Sequence, residues 1–302
     1  MRELDEKWKI NHNLKDGKCL YKYRPLAGSS SSELNVYTKN LLENGDWYFS
    51  KPSDFNDPYD TKYEIEKSAT EDEIRQYFIN IINANEYKKN IDDFVFDEIN
   101  RLISNCKDTE GKINTSYFMG NIPESKYSDN MRILCLAQDE TNILMWSHYA
   151  ENHTGICIGL KTYSIYNKIF IQTQMDQIRS FSGIDFLQPV SEIIYSNTKP
   201  NPYNFFTGSY KDIIKFYLTK SIDWEYEKEM RVIVPEKMIL KNPVWIDESQ
   251  ISEIIFGLNA SDILIEKVIN IIRNYTNRGN WITIYKCKEI KGAYEIEKEK
   301  FG

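Results

Sequence analysis

Strand-like and helix-like stretches follow one another along this chain without the regular alternation that builds a parallel sheet, and no segment repeats. That mixture restricts the fold to an α+β arrangement. "CLYKYRPL" (19–26) alternates as a strand, with Tyr21 and Tyr23 on one face and Leu20, Lys22 and Arg24 on the other. A helix is expected next: Ser30 and Glu33 have capping-box spacing, Leu34, Tyr37 and Leu41 recur at helical intervals, and Gly45 stops it. "DWYFS" (46–50) returns as a strand. Two further helices, one opened by Thr70 and Glu73 and one from about Asn90 to Cys106, form a helical insert between about residues 66 and 125. After the loop "GNIPESKYSDN" come a strand at "RILCLAQ", a short helix at "NILMWSHYA" and a strand at "GICIGL". The pattern closes with strands at "SEIIYS", "EKEMRVIV", "SEIIFG", "WITIYKC" and "YEIEKE" and a helix at "KDIIKFYLTKSI".

With 302 residues, 41% of them hydrophobic, the chain buries a sizeable core and reads as a single domain spanning 1–302. A net charge of -7 supplies no global basic footprint for nucleic acid or anionic membrane. No apolar run approaches the roughly 20 residues that span a bilayer, and "MRELDEKWKI" lacks the apolar centre of a signal peptide, so a cytoplasmic location is expected. Cys19, Cys106, Cys135, Cys157 and Cys287 are scattered without a CxxC pair, which points to buried free thiols.

Three patches carry more than fold. In "DFNDPYD" (54–60) a turn rich in Asn, Asp and Pro also keeps Phe55 and Tyr59, either to pin the turn to the core or to wall a site with Asn56 and Asp57. In "DWEYEKEMRVIV" a strand reading places Glu225, Glu227, Glu229, Arg231 and Ile233 on one face. That face is either an exposed one with Arg231 paired to a glutamate, or a carboxylate pair aimed into a cleft. In "MWSHYAENHTGICIGL" His148 and His153 stand five apart, a poor spacing for two ligands on one helix face, and no third ligand is evident, so no metal site is expected. His148, beside Trp146 and Tyr149, is either a packing histidine or a site residue.

The ordered set "YKYRPL", "YFSKPSDFNDPYD", "LCLAQ…NILMWSHYAENHTGICIGL" and "WEYEKEMRVI" resembles the bacterial domain-of-unknown-function family numbered 2971. The order of parts is also remotely similar to ADP-ribosyltransferases: a first strand with an arginine, a second with a serine or tyrosine followed by aromatics, and a late strand with E-x-E. That resemblance implies a split central β-sheet with flanking helices and NAD as the cofactor. It implies Arg24, Tyr48, Ser50, Phe55, Asn56, Asp57, Tyr59 and Arg231 as the dinucleotide-binding residues, and Glu227 or Glu229 as the carboxylate that supports an oxocarbenium-like transition state, with His148 beside them. It makes the chain a candidate for a toxin or phage-defence setting and leaves open whether a nucleic acid or a protein is the target. Two alternatives stay open: a non-enzymatic ligand-binding or interaction module, and a metal-dependent nuclease using Asp57, Asp60 and the glutamates. In every version Arg24, Asn56, Asp57, His148, Glu227, Glu229 and Arg231 are expected around one cleft.

Overall fold

The computed structural model describes residues 14–62, 64–66, 68–84, 93–107, 109, 113, 129–173, 178, 187–246, 248–274 and 282–301. Its main sheet has nine strands: β1 (Lys15–Arg24), β2 (Met131–Ala137), β3 (Ile156–Ile165), β4 (Lys168–Gln172), β5 (Leu187–Glu192), β6 (Glu229–Pro235), β7 (Ile251–Phe256), β8 (Thr283–Glu289) and β9 (Ile296–Lys300). The helices are α1 (Val36–Asn44), α2 (Glu71–Ala84), α3 (Asp93–Asn105), α4 (Ile143–Tyr149), α5 (Tyr210–Tyr217) and α6 (Asp262–Asn274).

The α+β class holds, but the sheet is not split. Six strands close on themselves in the order β1, β2, β6, β5, β4, β3 and back to β1, every pair antiparallel. The ten residues of β3 make this closure. One edge pairs with β1 from Ile156 to Ser164, while the other takes β7 along Ile156–Leu160 and then β4 along Tyr163–Ile165. The sheet therefore branches at β3: one arm closes the barrel and the other runs through β7, β8 and β9. Periodicity shows that a segment is a strand and says nothing of which edge it joins.

Alternation sorts the ring residues between two environments. Leu134 and Leu136 of β2, Ile156, Ile158 and Leu160 of β3, and Met230, Val232 and Val234 of β6 join Leu20 in the largest apolar core, with Trp47, Phe49 and Leu264, Val268 and Ile272 of α6. The intervening residues Cys135, Ala137, Glu229 and Arg231 share the opposite face, because Arg231 registers with Cys135, Glu229 with Ala137, and Ala137 with Tyr21.

The helix starts show where spacing succeeds. Thr70 and Glu73 form the expected reciprocal cap of α2, at 2.8 Å from the Thr70 N–H to the Glu73 carboxylate and 3.3 Å from the Glu73 N–H to the Thr70 hydroxyl. At α1 the cap is Asn35, whose side chain accepts from the Tyr37 and Thr38 N–H groups, and not Ser30; Gly45 ends the helix at φ 69° as expected. Ile74 of α2 packs with Ile99 and Ile103 of α3 and with Phe206, while the end of the expected insert lies outside the described residues. All five cysteines are free. Among the described residues no helix is long and apolar enough to cross a membrane.

Candidate functional site

The strand expected at "EKEMRVIV" begins two residues late. Ile222–Glu227 is a 3₁₀ helix, Lys228 turns the chain with φ 44°, and β6 starts at Glu229. Glu227 and Glu229 thus come from different elements, yet both are buried and both meet the same ammonium. Lys220, on the three-residue strand Thr219–Ser221, donates to Glu227 at 2.5 Å and to Glu229 at 3.3 Å, and its Nζ lies 3.6 Å from Asp60. Lys228 points away, to Asp139 at 3.0 Å.

Arg231 is fully buried, and its five N–H donors are all engaged. Nε and Nη2 bind Glu229 at 2.6 and 2.9 Å, Nη1 and Nη2 bind Asp60 at 2.9 and 2.5 Å, and Nη1 also reaches the Tyr217 carbonyl at 2.8 Å. The Phe55 ring lies over the guanidinium, 5.3 Å from its centroid. This answers what "DFNDPYD" is for. Asp57 accepts the Tyr59 N–H at 2.8 Å, a local turn that brings Asp60 onto Arg231 and Phe55 across it.

Burial pushes the Glu227 carboxyl above its ordinary range, against the pull of Lys220 and with the help of Glu229. Burial acts on Glu229 too, but the charge and hydrogen bonds of Arg231, with Lys220, prevail and hold it well below that range. Glu227 also accepts from the Tyr149 hydroxyl at 2.6 Å; burial first, then the Glu227 charge, drives that phenol's pKa upward. Tyr149 in turn lies 3.4 Å from the Asn56 amide. Tyr149 and His148 sit at the end of α4, which Asn142 caps through the Leu144 and Met145 N–H groups while donating to the Tyr226 carbonyl at 2.7 Å.

These groups line a cavity of about 400 Å³, within the range of roughly 300–1,000 Å³ typical of small-molecule sites. Of the expected residues, Ser50, Phe55, Asn56, His148, Glu227, Glu229 and Arg231 line it. Four do not. Arg24 lies two residues beyond Lys22, about 7 Å further along the strand, where its Nε donates to Thr38 of α1 at 3.1 Å. Lys22 lines the cavity and Arg24 does not. Tyr48 is 44% exposed while its neighbours Trp47 and Phe49 take the buried positions. Asp57 and Tyr59 face a separate depression of about 280 Å³ that shares only Asp60 and Lys220 with the main cavity. Arg231 lines the cavity with its five donors already engaged by Glu229, Asp60 and the Tyr217 carbonyl.

Lys22, Asp60, Tyr149 and Lys220 escaped sequence reasoning as site residues of the favoured reading. Lys22 lies inside "YKYRPL" but there Arg24 is the expected anion holder, Lys220 falls in the segment expected as a helix, Asp60 enters only as a metal ligand, and Tyr149 only as a neighbour of His148. The one available signal was the supply of cations needed to bury three carboxylates. Among the described residues no group of three or more His, Cys, Asp and Glu is placed to hold a metal ion.

A family model described as a protein of unknown function (DUF2971) matches residues 145–232. The resemblance read from the motifs is borne out over that stretch. It runs from Met145 of α4 to Val232 of β6 and so includes His148, Tyr149, Lys220, Glu227, Glu229 and Arg231. No curated protein and no solved structure matches the chain.

Proposed function

We propose that the cavity holds a nicotinamide dinucleotide and that Glu227 supports cleavage of its N-glycosidic bond. The protein would then be an ADP-ribosyltransferase, or an NAD glycohydrolase if water takes the ribose. In that step the bond between ribose and ring nitrogen breaks, its electron pair leaves with neutral nicotinamide, and positive charge builds on the ribose. An ionised carboxylate beside the ribose stabilises that charge.

The observation that carries this reading is the inequality of the two glutamates. Glu229 is bound by Arg231 through both oxygens, whereas Glu227 presents an oxygen to Tyr149 at the cavity wall. Tyr21, Tyr23, Phe55 and Tyr149 add aromatic surface against which a flat ring can pack. The closed barrel departs from the split sheet that a transferase resemblance implies, so the reading rests on the cavity and not on the fold.

A second reading, a ligand-binding module without turnover, is favoured by the 2.5 Å contact of Lys220 with Glu227, which offsets that carboxylate's charge. The nuclease reading has less support, since Asp60, Glu227 and Glu229 already have cationic partners. Incubation with NAD and measurement of free nicotinamide decides among them. Release that disappears in Glu227→Gln supports the enzyme. Tight NAD binding without release supports the module, and no NAD binding at millimolar ligand removes the dinucleotide reading.

A further inference from the structure

The cations around the cavity are not equivalent. Arg231 has all five donors engaged, and Lys220 is surrounded by Asp60, Glu227 and Glu229. Lys22, half-buried on β1, lines the same cavity, and among the described residues its ammonium has one hydrogen-bond acceptor, the neutral Cys135 carbonyl at 2.9 Å. An ammonium carries three donors, and withdrawing it from water against a single neutral acceptor is costly. The two strands it bridges, β1 and β2, register at Tyr21 and Ala137 alone, so the Cys135 carbonyl has no strand partner on β1 and the lysine reaches across to it. Ser50 and Asn56 also line this space and supply neutral hydroxyl and amide groups.

We propose that Lys22 is the anion-binding residue of the cavity and that its ligand carries a phosphate group. A tetrahedral oxyanion offers several acceptor oxygens, which suits one ammonium surrounded by neutral donors. Three of the four acids lining the cavity are already engaged by cations, Asp60 and Glu229 by Arg231 and Glu227 by Lys220, while the fourth, Asp54, is exposed to solvent and accepts the Lys51 N–H. The cavity is therefore bipolar, with a carboxylate at Glu227 and, at Lys22, a cation held by a neutral carbonyl. It fits a ligand with an electron-poor ring at one end and phosphate at the other. This inference rests on the dinucleotide reading for its ring end only. Burial lowers the Lys22 pKa and the Arg24 charge adds to the effect, against smaller opposing pulls from Glu229 and Glu227.

Titration calorimetry with sodium pyrophosphate tests the assignment, with succinate as a carboxylate control. The unmodified protein should bind pyrophosphate more tightly than succinate. Lys22→Met should weaken pyrophosphate at least about tenfold, the worth of one charge-assisted hydrogen bond. Lys22→Arg should retain most of the affinity, and Arg24→Ala should leave it unchanged. The Tm of Lys22→Met should fall by no more than the loss of one hydrogen bond to the Cys135 carbonyl, because no buried ion pair is broken, and Lys22→Arg should restore it. Unchanged pyrophosphate affinity in Lys22→Met overturns the proposal, as does its loss in Arg24→Ala or equal or tighter binding of succinate. A lower Tm with lost binding in Lys22→Met, unrescued by Lys22→Arg, overturns it too, by assigning Lys22 a structural role. Pyrophosphate binding through Lys22 without NAD binding at millimolar ligand would remove the dinucleotide reading and keep this one. Nicotinamide release at unchanged KM in Lys22→Met would do the reverse.

Discussion

Two carboxylates two positions apart in sequence have been given opposite environments, and substitutions should separate them. Glu229→Gln places an amide nitrogen against the donors of Arg231 or Lys220, leaving a buried guanidinium with one carboxylate in place of two. Breaking one side of a buried ion pair costs roughly 3–5 kcal/mol, so this variant should lose stability in denaturant melts, and Asp60→Asn should behave similarly. Glu227→Gln should instead keep most of the stability, since burial already disfavours its charged form, while abolishing nicotinamide release. Equal destabilisation by the two glutamine variants would dissolve the distinction. The raised pKa of Glu227 adds a sign. Because the ionised form is the one that stabilises the ribose, kcat should fall as pH drops through a value above the ordinary carboxylate 4.5, and a profile flat to that point would oppose the assignment.

At the scale of elements, the cavity wall depends on how α4 is anchored. Asn142 caps that helix and ties it to the Tyr226 carbonyl on the 3₁₀ segment carrying Glu227. Asn142→Ala should cost about 0.5–2 kcal/mol for the cap and should also loosen Tyr149 from Glu227. Activity should therefore fall by more than the stability loss explains, and a kcat within error of the unmodified protein would show that the two elements hold their spacing without the cap. The sequence spacing that foretold α2 through Thr70 and Glu73 works because a capping box closes within four residues. Arg24 shows the opposite case. Its strand and face were readable, but the acceptor that captures it, Thr38, belongs to α1, and no local pattern records that the strand end meets that helix. The same holds for Glu227 and Glu229: their proximity was legible, whereas the left-handed Lys228 that separates them into two elements was not.

Across the whole molecule, ring closure makes one electrostatic unit from segments 171 residues apart in sequence, Asp60 and Arg231. The turn at 54–60, the strand holding Lys220, the 3₁₀ helix with Glu227 and β6 share no local code. The meeting of the turn with the two glutamates and Arg231 is expected from the resemblance, whereas the strand holding Lys220 and the closed barrel are not. A buried cluster of this kind makes stability depend on pH in a direction that can be worked out. Glu229 has a folded pKa lowered from 4.5 to about 2, so its contribution is fully present above the unfolded value and is lost as pH falls from about 4.5 toward 2. Glu227 has a raised folded pKa, so its protonation on the way down from neutrality relieves a burial cost and adds stability. These two carboxylates should therefore hold or slightly raise the Tm on acidification toward pH 5 and then lower it steeply below about 4.5, while His153, whose pKa burial lowers, takes stability away as pH drops through its unfolded 6.5. In Glu227→Gln the first part should flatten while the acid fall remains. A Tm that stays level as pH falls below about 4.5 in the unmodified protein would mean that Glu229 is not held ionised by Arg231 and Lys220.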